Sequence, residues 1–195
     1  DNVPEFSLLL GAAALSGSVV AGLNTTRRGE ALARDIALTD CRVVFTESAH
    51  LPLLDGLDLP GVRVIDVDSA EWPEMLAPYA GSAPVVAQTK PDDLFMLIFT
   101  SGTSGDPKAV RCTHGKVTGP GLMLAERFGL GPDDVVYLSM PMFHSNAIMA
   151  GWGVALAAES GVALRRRFSA SGFVTDLRKF GVTYANYVGK PLSYI

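Results

Sequence analysis

A short segment rich in hydroxyl groups and glycine, TSGTSGDPK at residues 100–108, offers the clearest chemistry in the sequence. Four hydroxyl side chains and one lysine stand within nine positions, namely Thr100, Ser101, Thr103, Ser104 and Lys108. Hydrogen bonds from hydroxyl donors to an anion are roughly twice as strong as neutral ones, and a lysine adds a compact positive charge. The segment therefore predicts a binding site for a chain of phosphates.

The backbone of this segment also suits phosphate binding. Gly102 and Gly105 lack Cβ atoms and tolerate positive φ, so the chain can fold closely around phosphate oxygens, while Pro107 stiffens the exit. The P-loop of many nucleotide-binding proteins requires a glycine directly followed by lysine and then a helix. Here Gly105 and Lys108 are three positions apart, and KAVRCTH at residues 108–114 is typical of a strand. An ordinary turn between two strands, with a solvated lysine, is the alternative.

The apolar run from Leu94 to Phe99 places the segment where ligands commonly bind. Its continuous hydrophobicity is typical of a strand that is buried on both faces of a sheet. Ligands of open α/β sheets bind beyond the carboxyl ends of the strands. The position therefore favours phosphate binding over an ordinary turn.

Helical and strand patterns alternate along the rest of the chain. Helices are predicted at residues 3–15, 29–40, 69–80 and 169–181, with Ser69 as the N-cap of the third and a cap on the last. Strands are predicted at residues 18–22, 41–46, 62–67, 94–99, 108–114, 134–139, 161–165 and 182–187. This alternation predicts the α/β fold class, a layered sheet with flanking helices.

The uncharged run from Phe6 to Leu23 raises the question of a membrane span. Its 18 residues reach the lower limit for crossing a bilayer. However, Gly11, Gly17 and Gly22 interrupt the run. The pattern therefore favours a buried helix followed by a strand.

Composition and charge exclude several classes of protein. Of the 195 residues, 48% are hydrophobic and 18% are charged, as in a globular protein with a substantial core. A net charge of -4 lacks the basic footprint of a nucleic-acid-binding protein. Cys41 and Cys112 have no metal or redox spacing, which favours a reducing, cytoplasmic location. His50 and His114 have no third ligand at metal-site spacing, so neither is expected to bind a metal.

TSGTSGDPK closely resembles the phosphate-binding signature of the adenylate-forming superfamily, which includes acyl-CoA synthetases, firefly luciferase and peptide-synthetase adenylation domains. The usual form is T-S-G-T-T-G-x-P-K, and Ser104 departs from it by one methyl group while keeping the hydroxyl. GLNTTRRGEALARDIALTDCRVVF at residues 22–45 resembles the family stretch in which an Asn leads into a helix and a strand. Pro141, Phe143 and His144 match the Pro-x-aromatic-His segment of the family.

Residues 164–195 are most similar to the fatty-acid transport protein branch, also called very-long-chain acyl-CoA synthetases. Members of this branch typically have a basic run, then F-S-A-S, a helix and a Y-x-G-containing segment. Lys190 stands where the branch has an acidic residue. The resemblance extends over nearly all of the chain.

The resemblance implies a fatty-acid–CoA ligase. ATP and a fatty acid would form an acyl-adenylate with release of pyrophosphate, and coenzyme A would then displace AMP. The β and γ phosphates would be held by Thr100, Ser101, Gly102, Thr103, Ser104, Gly105 and Lys108. Thr100 would help to position Mg²⁺, and His144 would separate the nucleotide from the acid and orient the carboxylate. Lys108 and His144 are thus the expected catalytic residues.

Several family features are not found in the sequence, namely the adenine, ribose and hinge motifs and the C-terminal domain with its second lysine. We therefore expect residues 1–195 to be part of a large N-terminal AMP-binding domain, with the C-terminal domain absent, and to be inactive alone. A fatty-acyl-AMP ligase that serves a carrier protein, a non-catalytic lipid-binding or transport component, and a processed remnant stay open as alternatives. The sequence specifies neither acyl chain length nor oligomeric state.

The densest basic run is Arg165, Arg166 and Arg167. The simplest interpretation is that these arginines lie in solvent at the end of a strand. The alternative is peripheral contact with an anionic membrane surface or with the phosphates of coenzyme A.

Overall fold

The computed structural model describes residues 1–100 and 108–194, and its strands form three small sheets. The strands are β1 (Val20–Gly22), β2 (Val43–Thr46), β3 (Arg63–Asp66), β4 (Leu94–Thr100), β5 (Lys108–Thr113), β6 (Val135–Leu138), β7 (Gly161–Leu164) and β8 (Tyr184–Ala185). The first sheet has the order β1-β4-β5, the second pairs β2 with β3, and the third has the order β7-β6-β8. These pairs are parallel except for β4 and β5, which are antiparallel.

Helices lie between most of the strands. They are α1 (Pro4–Ser16), α2 (Gly29–Leu38), α3 (Glu71–Leu76), α4 (His114–Phe128), α5 (Ser145–Ala147), α6 (Gly153–Ala158), α7 (Ala170–Lys179) and α8 (Gly189–Leu192). Two 3₁₀-helices occupy Ser48–Leu53 and Ala77–Tyr79, and a π-helical turn at Ile148–Trp152 joins α5 to α6. The predicted α/β architecture of sheets with flanking helices is confirmed.

The sequence-based assignment of elements omitted α4 and the run from α5 to α6. α4 contains Gly119, Pro120 and Gly121, which have low helix propensity and hide the helix in the sequence. Close packing compensates for this weakness, because α4 lies directly against α6. A Cβ atom added at Gly121 would lie only 2.5 Å from the carbonyl oxygen of Gly153.

The predicted N-cap role of Ser69 is wrong. α3 begins at Glu71 with Ala70 in the cap position, and no side chain caps it. Ser69 Oγ instead donates a hydrogen bond to Asp66 O at 2.8 Å, which closes the turn after β3. The predicted cap on the later helix is confirmed, because Ser169 at the start of α7 accepts a hydrogen bond from the third residue beyond it.

The main core lies around β4 and joins the first and third sheets. Phe95, Met96 and Ile98 are buried, as the apolar run in the sequence predicted. Leu138 of β6 and Trp152 of the π-helical turn belong to the same cluster. Full burial of a large apolar side chain stabilises a protein by about 1.5–3 kcal/mol. The packing therefore fixes the position at which β4 ends.

Residues 6–23 form most of α1 and all of β1, which confirms the interpretation of this run as a helix followed by a strand. Leu10 and Ala13 of α1 are buried in the main core. Across residues 1–100 and 108–194, the structure contains no helix that is both long enough and apolar enough to cross a membrane.

The basic run at residues 165–167 directly follows β7, and the side chains of Arg166 and Arg167 are 57% and 68% exposed, which confirms its interpretation as the solvated end of a strand. Each of the three arginines also pairs with a carboxylate. Arg166 pairs with Glu47, whose side chain is 4% exposed, and Arg167 Nη2 lies 2.8 Å from Asp1 Oδ2. Arg165 pairs with a carboxylate of α7. Because Glu47 directly follows β2, the Arg166 pair ties the second sheet to the third.

His50 lies beside two carboxylates that spacing along the chain did not reveal. Potential ligand atoms of Asp1, Glu47 and His50 come within 4.8 Å of one another. Both carboxylates are already paired with the arginines described above. The group is therefore a cluster of ion pairs rather than a ready metal site.

Candidate functional site

Thr100 and Lys108 face each other across the antiparallel pair of β4 and β5. Directly opposed residues in such a pair project from the same face, with Cβ atoms about 4.5–5.5 Å apart. Both residues are exposed, whereas the middle of β4 is buried. The structure thus brings a hydroxyl group and an ammonium group together at the open end of a buried strand.

The other predicted phosphate-binding residues lie outside the described part of the chain. They are Ser101, Gly102, Thr103, Ser104 and Gly105. The strands on either side are in register, with Phe99 opposite Ala109 and Thr100 opposite Lys108. The intervening segment therefore starts and ends at adjacent positions of one sheet edge.

His144 follows β6 in a tight turn, because its backbone N–H donates to Pro141 O at 2.9 Å. The neighbouring Phe143 packs directly on Gly22, the last residue of β1. A Cβ atom at Gly22 would lie 2.9 Å from Phe143 Cα, so this contact needs a glycine.

Gly22 contacts both this turn and the strand β4. It pairs with Ile98, two residues before Thr100. Phe143 therefore packs beside the carboxyl ends of β1 and β4, and His144 is the next residue along the chain. The described residues of the predicted site, Thr100, Lys108 and His144, thus lie at the carboxyl ends of β4 and β1.

The His144 imidazole is close to an aromatic ring and partly exposed. Its centroid lies 4.4 Å from that of Phe143. Although more than a third of the residue is exposed, partial burial lowers the pKa of His144 below its usual value. At neutral pH the ring is therefore neutral and offers one N–H donor and one acceptor.

Asn2 supports this turn from the opposite end of the chain. Its side chain is 4% exposed, and Nδ2 donates to Met140 O at 2.9 Å and to Arg165 O at 3.1 Å. Sequence reasoning missed Asn2 because its partners are 138 and 163 residues away.

Two residues at the end of the third sheet hold the helix that begins after His144. Tyr184 Oη donates to Ala150 O at 3.0 Å, within the π-helical turn. Asn186 Nδ2 lies 2.7 Å from Asn146 Oδ1 and 3.3 Å from Asn146 O. The sequence pattern places Tyr184 and Asn186 in a strand, and nothing near Asn186 in the sequence marks it as part of the site.

A cavity of about 710 Å³ lies beside the polar edge. Residues of α1, β1 and β2 form part of its wall, together with residues of the loops beside them. Met142 and Phe143, which directly precede His144, also line the cavity. β1 and β2 belong to separate sheets, and the cavity occupies the space between them. Neither Thr100, Lys108 nor His144 lines it, so the cavity and the polar edge are adjacent but separate features.

Known proteins resemble this chain in both sequence and fold. It is 54% identical over 195 residues to the medium/long-chain-fatty-acid–CoA ligase FadD17 of Mycobacterium marinum (strain ATCC BAA-535 / M), covering 100% of the chain and 38% of that protein. It is 31% identical over 209 residues to long-chain fatty acid transport protein 6 of Homo sapiens, covering 100% of the chain and 33% of that protein. The chain thus spans little more than a third of the length of these relatives.

The structure is similar to the inhibitor-bound N-terminal domain of FACL13 from Mycobacterium tuberculosis. The TM-score is 0.87 at 25% identity, over 99% of this chain and 49% of that one. The predicted fold class and the predicted kinship with acyl-CoA ligases and fatty acid transport proteins are both confirmed. A family model described as AMP-binding enzyme matches residues 1–194. This chain therefore belongs to the AMP-binding enzyme family, the adenylate-forming superfamily that its motifs resemble.

Proposed function

We propose that this chain is the phosphate-binding part of a fatty-acid–CoA ligase, within the N-terminal domain of a longer polypeptide. The observation that carries the proposal is the pairing of Thr100 with Lys108 at the open end of β4. Membership of the AMP-binding enzyme family supports ATP as the nucleotide. The 54% identity to a medium/long-chain-fatty-acid–CoA ligase supports a fatty acid and coenzyme A as the other substrates.

In this proposal, ATP lies along residues 100–108. The Lys108 ammonium contacts the β and γ phosphates and stabilises the charge that develops on pyrophosphate as the fatty acid attacks the α phosphate. Fixed charges and donors aimed at developing charge are a main source of catalysis in such reactions. Ser101, Gly102, Thr103, Ser104 and Gly105 complete the phosphate contacts through hydroxyl and backbone N–H groups.

The exposed Thr100 hydroxyl fits a magnesium ion, because Mg²⁺ prefers oxygen ligands and usually keeps several waters and substrate phosphates. When bound, the ion would neutralise charge on the phosphates. Thr100 stands opposite Lys108, so hydroxyl and ammonium approach the phosphate chain from the same face of the strand pair.

His144 orients the fatty acid in this proposal. A neutral imidazole donates one hydrogen bond to a carboxylate oxygen without neutralising the nucleophile. The lowered pKa of His144 keeps the ring in this form at neutral pH. The contact of Phe143 with Gly22 holds the imidazole at the carboxyl end of β1.

We place the protein in the cytoplasm, because Cys41 and Cys112 are free thiols, which suits a reducing compartment. Each arginine of the run at residues 165–167 forms an ion pair with a carboxylate of this chain. The run therefore gives no support to binding of a membrane surface.

Fatty-acid-dependent exchange of pyrophosphate into ATP by the full-length protein tests the proposal. Lys108→Ala should reduce exchange by about 10²–10³-fold, the usual cost of removing a group that stabilises developing charge. Lys116→Ala is the matched control and should leave exchange unchanged, because this lysine of α4 is exposed and its Nζ donates to Arg111 O, at 3.4 Å, rather than to a residue of the site.

Unchanged exchange in Lys108→Ala would show that Lys108 does not stabilise the departing pyrophosphate. Absence of exchange in the unmodified protein across a chain-length series of fatty acids would remove the ligase assignment. Formation of acyl-adenylate without a thioester when coenzyme A is added would favour the acyl-AMP ligase that serves a carrier protein.

A further inference from the structure

We propose that Asn146 and Asn186 form an amide pair that presents the Nδ2 amino group of Asn146 to a carboxylate oxygen of the acid substrate, beside His144. In this pair Asn146 contacts the substrate, and Asn186 is a positioning residue that acts through Asn146. The inference rests on the proposed function and deepens it, because it adds a second hydrogen-bond donor to the acid-binding side of the site.

The hydrogen bonds determine which way each amide faces. The oxygen and nitrogen of a carboxamide have nearly the same shape, so their partners must distinguish them. A backbone carbonyl only accepts, and Asn146 O lies 3.3 Å from Asn186 Nδ2, so the amino group of Asn186 faces Asn146. The same amino group lies 2.7 Å from Asn146 Oδ1, which must therefore accept. It follows that the amino group of Asn146 points away from Asn186.

Asn186 is rigidly held. It is 6% exposed, and its Oδ1 is packed against Gly151. A Cβ atom at Gly151 would lie 3.0 Å from Asn186 Oδ1 and 2.6 Å from Leu138 Cδ1, so a larger residue there would press on both side chains. Asn186 therefore has little freedom to turn its amide.

The oxygen of the Asn186 amide makes this buried position costly for a polar residue. Among residues 1–100 and 108–194, Asn186 Oδ1 has no hydrogen-bond partner. A buried oxygen without a partner is destabilising, and an apolar side chain of similar size would avoid that cost. The advantage of an asparagine at position 186 must therefore come from its amino group, which donates to Asn146.

The position of Asn146 suits a substrate contact. It lies two residues after His144, in the first turn of α5, and it is half-buried, so its amino group stays reachable. The backbone N–H of Ile148 donates to His144 O at 3.3 Å, which ties the two residues into one helical start. A π-helical turn follows immediately, and such turns occur frequently at functional sites.

The chemistry of the donor indicates its ligand. An amide N–H group is neutral and forms its strongest hydrogen bonds with an anionic acceptor. A carboxylate has two oxygens, each with acceptor capacity. The imidazole of His144 and the amide of Asn146 can therefore each bind one oxygen and set the direction from which the acid meets the α phosphate.

The test compares Asn186→Asp with Thr183→Val in the full-length protein. Asn186→Asp keeps the shape but removes the donor, and its carboxylate attracts the amino group of Asn146 away from the substrate. The KM for the fatty acid should rise about ten- to hundredfold, as expected for a lost hydrogen bond to a charged group, while the KM for ATP stays within about twofold. Thr183→Val removes a hydrogen bond of the same segment, from Val135 N to Thr183 Oγ1 at 3.0 Å, and both KM values should stay unchanged.

Two further variants separate positioning from folding. Asn146→Leu should raise the KM for the fatty acid as much as Asn186→Asp does, and it serves as the test if Asn186→Asp does not fold. The double variant should match Asn146→Leu alone, because Asn186 acts only through Asn146.

An equal rise in Thr183→Val, or a fall in kcat with both KM values unchanged in Asn186→Asp, would show that Asn186 only supports the fold and would overturn the inference. Unchanged KM values in Asn186→Asp and Asn146→Leu would do the same. If the unmodified protein lacks fatty-acid-dependent exchange, the proposed function itself fails, so the two failures are distinguishable.

Discussion

The side chain of Asn2 accepts a hydrogen bond from the backbone N–H of Met142 across 140 residues of chain, at an Oδ1–N distance of 2.9 Å. Together with its bonds to Met140 and Arg165, this contact joins the start of α1 to the turn after β6. His144 stands two residues beyond Met142. The geometry of the acid-binding side of the site therefore depends on a residue at the other end of the sequence.

Asn2→Ala should destabilise the protein by about 2–4 kcal/mol, because it leaves buried backbone groups of Met140 and Met142 without partners. Urea unfolding of the variant measures the change. Asn24→Ala is the control, since Asn24 Oδ1 accepts hydrogen bonds from its near neighbour Thr26 in an exposed turn. The control should lose less than about 1 kcal/mol, and equal losses would contradict the structural role of Asn2.

Alanine substitutions at Gly22 and Gly11 should have opposite effects on stability. The Cβ of Gly22→Ala would meet the backbone of Phe143 at 2.9 Å, so the turn must shift, at a cost of about 1–3 kcal/mol. Gly11 lies within α1, and no atom of residues 1–100 or 108–194 comes within 4 Å of its added Cβ, so Gly11→Ala should stabilise by about 0.5–1 kcal/mol. Thermal unfolding of the two variants measures both changes. Changes of the same sign would show that Phe143 does not pack on β1 as described.

A second pair of glycines, both within α4, tests the contact between α4 and α6. Gly121→Ala would place a Cβ 2.5 Å from Gly153 O, and separating the helices should cost about 2–4 kcal/mol. The Cβ of Gly119→Ala meets no atom of the described residues within 4 Å, so this substitution should stabilise by about 0.5–1 kcal/mol, the gain in helix propensity. Guanidinium unfolding followed by circular dichroism gives both values. A neutral Gly121→Ala would rule out the close approach of the two helices.

Stability should decline at high pH because of Tyr137. Burial, followed by its hydrogen bond to Asp176 Oδ2 at 2.8 Å, raises the pKa of Tyr137 to about 12. The unfolded chain releases this proton near pH 10. The stabilisation is therefore fully present below about pH 10 and is lost as the pH rises towards about 12, by at most about 3 kcal/mol.

Urea unfolding at several alkaline pH values measures this loss. Tyr137→Phe should remove that part of the pH dependence, whereas Tyr79→Phe, at an exposed position, should leave it unchanged. An identical alkaline decline in the unmodified protein and in Tyr137→Phe would contradict the assignment.

Local patterns in the sequence were sufficient for some parts of the fold and not for others. The apolar run of β4 and the strand pattern after Lys108 predicted two strands, and the structure pairs them so that Thr100 faces Lys108. α4 was missed because Gly121 and its neighbours oppose a helix locally, and only contact with α6 compensates for them.

The supports of the site could not be predicted, because they join distant parts of the chain. Asn186 reaches Asn146 across 40 residues, and Arg166 reaches Glu47 across 119. Nothing in the immediate surroundings of these residues marks them as partners. A sequence motif identifies groups that can meet a phosphate, whereas the groups that hold the motif in place become visible only in three dimensions.

The bond between Asn2 and Arg165 has a consequence for biosynthesis. After Asn2, a ribosome must add 163 more residues before its partner Arg165 has been made. Until then, the apolar side of α1, including Leu10, lacks much of the core that buries it in the finished protein. Contacts between such distant positions slow folding, and exposed apolar surface favours association with other chains. The nascent protein should therefore depend on chaperones until the third sheet has formed.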